Sequence, residues 1–108
     1  MGRRQAPGHL SKEAKAIWNQ IAKDWELSSG DYPILRIALE SYDRGQEARR
    51  RIDEDGIVLT DDKGKRYAHP CLAVEKECRM GLLRAWRQLR LDVEVPRAVG
   101  RPPGPGGY

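Results

Sequence analysis

The sequence predicts a mainly α fold, a three-helix domain with a short β-hairpin between helices 2 and 3. Three observations carry that expectation. Apolar residues recur at helical spacing in three separate stretches. A β-favouring run with turn residues separates the second stretch from the third. Both chain ends are rich in residues that cannot build a core. The 108 residues suffice for one small domain, and with 39% hydrophobic and 33% charged residues its core is expected to be thin.

The first helix is signalled by Ser11, a good N-cap, and by Glu13 in the first turn, where the helix dipole favours an acid. Ala14, Ile17, Trp18, Ile21, Ala22 and Trp25 then trace one buried face. Lys12, Lys15, Asn19 and Lys23 form a narrow stripe opposite. LSSGD is expected to end this helix at Gly30 and to cap the next with Asp31.

The second helix is expected over about 32–54, with Pro33 tolerated in its first turn. Ile34, Ala38, Tyr42, Gly45, Ala48 and Ile52 make its buried stripe, flanked by Leu35 and Leu39. Arg49, Arg50 and Arg51 suit the negative end of the helix, and Gly56 is the natural stop. In IVLTDDKGKRYAHP, residues 57–60 favour strand, Asp62, Lys63 and Gly64 supply a turn, and 66–68 return. A lone hairpin is marginal in water, so this one is expected to pack on helices or pair with another chain.

The third helix is expected from Pro70 to about residue 91, with Val74, Cys78, Leu82, Ala85 and Leu89 on one face. Lys76, Arg79, Arg84, Arg87 and Arg90 cluster on the other, with Leu72, Met80 and Leu83 among them. A helix apolar on both sides packs twice, once within its domain and once against a partner.

The start of that helix, HPCLAVEKEC, combines a histidine with two cysteines. Seven residues of helix separate Cys71 from Cys78 by about 10 Å of rise. That is too far for a disulfide or for two ligands of one zinc, whose bonds to sulfur are about 2.3 Å. Both thiols are therefore expected to be small buried apolar groups, and His69 to orient the junction between hairpin and helix. No phosphate-binding glycine loop and no nucleophile–histidine–acid set is legible, so neither catalytic residues, a metal nor a cofactor is expected.

The net charge is +4, from 20 Lys+Arg against 16 Asp+Glu, which suits nucleic acid without requiring it. The Lys12, Lys15 and Lys23 stripe, with Arg3 and Arg4 on an arm, either binds phosphates or is an ordinary solvated face. The helix-three arginines are expected to meet acids of a neighbouring subunit, such as Glu40, Asp43 or Glu47. Trp18, Trp25 and Trp86 belong to core or interface. No run is long and apolar enough for a membrane span, the first residues lack the apolar middle of a secretory signal, and two cysteines suit a reducing, cytosolic setting. The expected organisation is a flexible basic arm at 1–9, a helical domain at 10–93 and a disordered Pro/Gly-rich tail at 94–108.

The order of these features resembles the small terminase subunit of tailed double-stranded-DNA bacteriophages. LSKEAKAIW near the start, and the segment from Gly56 to Asp92 in which a hairpin ending in HP leads to a helix closing on LRAWRQLRLD, carry the resemblance. It spans about residues 6–92. The resemblance implies a ring of many subunits that recognises viral DNA, recruits the large terminase subunit and regulates that motor-nuclease during genome packaging. It implies no catalytic site, no membrane partner, and a location in the cytoplasm of the bacterial host. Under it, Arg3, Arg4, Lys12, Lys15 and Lys23 are the expected DNA contacts. Leu72, Met80, Leu83, Arg84, Trp86 and Arg87 are the expected subunit interface. The alternatives are a monomeric or dimeric DNA-binding regulator and a protein-interaction adaptor without DNA affinity.

Overall fold

The computed structural model describes residues 4–91, so Arg3 and the 94–108 tail lie outside it. Its elements are α1 (Lys12–Asp24), α2 (Asp31–Asp55), β1 (Val58–Thr60), β2 (Arg66–Ala68) and α3 (Cys71–Gln88). The expected three helices and intervening antiparallel hairpin are all present.

α1 begins as its sequence requires: Ser11 is extended, and its hydroxyl accepts the Ala14 N–H at 3.0 Å. It stops at Asp24 rather than running to Gly30. Trp25 is already extended (φ −121°, ψ 150°), and its N–H closes the last turn on the Ile21 carbonyl at 2.9 Å. Leaving the helix there lets Trp25 and Leu27 turn in against the core. Asp31 helps to fold the connection: its carboxylate accepts the Ser28 N–H at 2.8 Å, and its own N–H donates to the Ser28 carbonyl at 3.0 Å. It does so from inside the first turn of α2, with Gly30 at the cap position.

α2, at 25 residues, is about 37 Å long. It stops at Gly56, whose φ of 87° favours glycine and whose N–H bonds the Ile52 carbonyl at 2.7 Å. α3 runs back antiparallel along it, with Gly81 near Ser41, Cys78 against Gly45, and His69 bonded to Asp55. An added Cβ at Gly45 would meet Cys78 Cβ at 3.2 Å, so the two backbones approach closely because position 45 has no side chain.

The core lies at one end of this pair. Leu10, Ala14, Trp18, Ile21 and Ala22 meet Leu35 and Leu39 of α2, with Leu89 and Leu91 from just beyond α3. Leu35 and Leu39, expected to flank the α2 stripe, are its most buried large side chains. α2 is covered on two sides, by α1 along Leu35 and Leu39 and by α3 along Ala38, Gly45, Ala48 and Ile52, so its buried arc is wider than one stripe. α3 ends three residues short of the expected 91. There the Leu91 N–H bonds the Trp86 carbonyl and the Arg90 N–H bonds the Arg87 carbonyl, each at 3.0 Å, with Arg90 at φ 62°. This is a Schellman turn. It carries Leu91 back into the core beside Trp86.

Two expectations for α3 are corrected. Val74 is exposed rather than buried, because α1 covers only the opposite end of the helix pair. Cys71 and Cys78 are half-buried rather than buried. Cys78 lines a shallow groove between α2 and α3, over Gly45 where a side chain would have covered it.

Candidate functional site

The α1 stripe presents Lys12, Asn19 and Lys23 to solvent, with Lys15 half-buried. No ion pair among the described residues involves the three lysines. Arg4, expected on a mobile arm, is tied down. Its carbonyl accepts Trp18 Nε1–H at 2.9 Å, and its guanidinium lies 4.8 Å from the Tyr32 ring centroid. Tyr32 in turn packs on Trp18 at a centroid distance of 5.7 Å. Ala6 packs against the same core, and His9 Nε2 bonds Glu40 Oε2 at 2.6 Å. The arm is thus anchored from Arg4 onward, and it carries the Arg4 charge to the α1–α2 junction.

The acids expected to face a neighbouring subunit are instead engaged within their own chain. Glu40 takes His9 and Arg36, and Glu47 takes Arg50 and Arg51. Asp43 clasps the start of α1, accepting the Ser11 N–H at 2.8 Å and the Ser11 hydroxyl at 2.5 Å. Helical spacing explains the Arg36, Arg50 and Arg51 pairs. The clasps on Ser11 and His9 arise because α1 lies across α2, which the sequence alone does not display. Hydrogen bonds from Arg50 and Arg51 hold the Glu47 carboxyl below the usual carboxylate range.

The outer face of α3 has the mixed character its sequence predicts. Met80 and Leu83 are 49% and 51% exposed. Lys76, Arg84 and Arg87 are exposed beside them, and no ion pair among the described residues involves these three. Leu72 is half-buried. Trp86 differs from its neighbours in the expected interface, since it leans on the core of its own chain.

The hairpin is a second uncovered surface. Ile57, Val58 and Tyr67 are 59%, 46% and 44% exposed. The signal was present: apolar residues at 57, 58 and 59 in succession cannot all share one face of a strand. Ile37 on α2 is likewise exposed, with no comparable signal in the sequence.

His69 is buried between these surfaces. Its Nδ1 accepts the Cys71 N–H at 2.9 Å, and its Nε2 lies 2.9 Å from Asp55 Oδ2. Both ring nitrogens are therefore used in joining the end of α2 to the start of α3, which is the junction role the sequence suggests. Among the described residues, no group of three or more His, Cys, Asp or Glu is placed to hold a metal ion. No described helix is long and apolar enough to cross a membrane.

Comparison with known proteins gives one finding. A family model described as phage terminase, small subunit, matches residues 14–99. No curated protein and no solved structure matches the chain.

Proposed function

The chain belongs to the phage terminase small-subunit family, and on that premise we propose that it recognises viral DNA and recruits the large terminase subunit for genome packaging. The family match over residues 14–99 carries this reading. Two structural features support it. The lysines of α1 are free of intrachain ion pairs, as phosphate contacts require. The apolar and cationic outer face of α3 covers nothing in its own chain, as a subunit interface requires.

In this reading the protein works as a homo-oligomer of many subunits, without a catalytic site, in the host cytoplasm. Lys12, Lys15, Lys23 and Arg4, with Arg3 beyond the described residues, contact backbone phosphates. Each subunit's contacts are weak, and assembly multiplies them. Leu72, Met80, Leu83, Arg84 and Arg87 meet the next subunit. Trp86 supports that face from behind, through its packing on the core.

The test joins two measurements. Light scattering on a sizing column should give a closed assembly of many subunits, whereas a stable monomer or dimer favours the regulator or the adaptor. Replacing Lys12, Lys15 and Lys23 together with Glu should weaken retention of double-stranded DNA by at least about tenfold and flatten its salt dependence. DNA retention unchanged by the triple substitution would exclude the α1 contacts.

A further inference from the structure

Neither face of the hairpin is packed, and a two-stranded hairpin with three-residue strands is marginal in water. Its hydrogen bonding shows where a partner fits. The Asp61 N–H donates to the Lys65 carbonyl at 2.9 Å, and the His69 N–H to the Ile57 carbonyl at 2.8 Å. The register pairs Val58 with Ala68, Leu59 with Tyr67 and Thr60 with Arg66. The internal ladder therefore uses the backbone groups of Ile57, Leu59 and Asp61 on one strand and of Lys65, Tyr67 and His69 on the other. By the alternation of an antiparallel ladder, the N–H and C=O of Val58 and Thr60 point away from β2. Those of Arg66 and Ala68 point away from β1. The hairpin thus has two unpaired edges with matched spacing.

The two edges differ in charge. The β1 edge is uncharged at Val58, Leu59 and Thr60 and runs into Asp61 and Asp62. It has no lysine or proline of the kind that blunts an exposed edge. The β2 edge begins at Lys65 and Arg66. Two β2 edges would repel one another, and two β1 edges would leave both basic edges open. A β1 edge beside a β2 edge sets Asp62 near Lys65 and Arg66.

We propose that β1 of one copy pairs antiparallel with β2 of the next copy, so that the hairpins of the assembly form one continuous sheet between subunits. This deepens the multi-subunit reading above and rests on it. The pairs Val58–Ala68 and Thr60–Arg66, not hydrogen-bonded inside one hairpin, become the hydrogen-bonded pairs between copies. Ile57, Leu59 and Tyr67 of every copy then share one face of the sheet and cover one another. The contact is head-to-tail, so only a closed ring leaves no edge exposed.

Hydrogen exchange at single amides of the full-length assembly, read by fragmentation mass spectrometry, tests the proposal. The Val58 and Thr60 amides should exchange at least about tenfold slower than unprotected amides, although neither has a partner within its own chain. Thr60→Pro removes an outward N–H and no inward one, and should lower the native mass while leaving helical circular dichroism unchanged. A large assembly in which these amides exchange freely, with native mass unaltered by Thr60→Pro, overturns the inter-subunit sheet and leaves the multi-subunit reading standing. A chain that stays monomeric at packaging-relevant micromolar concentrations overturns both.

Discussion

His69 illustrates how one side chain carries a junction. With its proton on Nε2 it donates to Asp55 and accepts the Cys71 N–H at Nδ1, so one neutral imidazole satisfies both neighbours. His69→Ala leaves that N–H without its acceptor and is expected to destabilise the fold by about 1–3 kcal/mol in urea unfolding. His69→Asn should recover part of the loss, because its amide oxygen reaches an N–H two residues on. Equal losses in the two variants would argue against the capping role. At Glu40, the hydrogen bond from His9 and then those from Arg36 outweigh partial desolvation and hold the carboxyl below its ordinary value. A carboxylate depressed on folding stabilises the native state above its unfolded pKa, and that contribution fades as pH falls through the folded value. Because both partners are substantially exposed, the effect on stability is small. The titration is the clearer readout: His9→Ala should move the Glu40 midpoint upward in carboxyl-carbon NMR.

The helix pair turns on two glycines that the sequence does not distinguish. At Gly45 a new Cβ would stand 3.2 Å from Cys78 Cβ, whereas at Gly81 the nearest atom, Ser41 Oγ, lies at an ordinary 3.9 Å. Gly45→Val should therefore force α2 and α3 apart and destabilise by about 1–3 kcal/mol. Gly81→Ala should stabilise by about 0.5–1 kcal/mol, since it removes glycine entropy from a helix interior at little steric cost. Thermal unfolding of the two variants, with opposite shifts expected, checks the antiparallel packing that brings residue 45 against 78 and 41 near 81.

For the whole molecule, the separation of core from exposed apolar surface matters most. The core is gathered where α1 crosses α2, and Met80 and Leu83 stand outside it. Met80→Glu with Leu83→Glu should leave the unfolding free energy of the isolated chain within about 0.5 kcal/mol per site. The same pair should reduce the native mass of the assembly. Unchanged mass would remove the outer face of α3 from the subunit interface. Trp86→Ala is expected to behave differently and cost stability first, because Trp86 packs on its own core.

Helical spacing, the Ser11 cap, Pro33, Gly56 and the turn at Asp62–Gly64 determine by themselves that three helices and a hairpin form in this order, since each acts over a few residues. The amphipathic pattern likewise marks the lysine stripe of α1 and the mixed face of α3. What lies across the chain was decided by tertiary packing. The early end of α1 follows from Trp25 and Leu27 turning into the core. The wide buried arc of α2 follows from its two neighbours, and the partial exposure of Cys78 from the missing side chain at Gly45. Arg4, Glu40 and Asp43 looked from their spacing like free surface charges. They are engaged because α1 and the residues before it lie across α2, bringing together groups about 30 positions apart whose pairing no local pattern encodes.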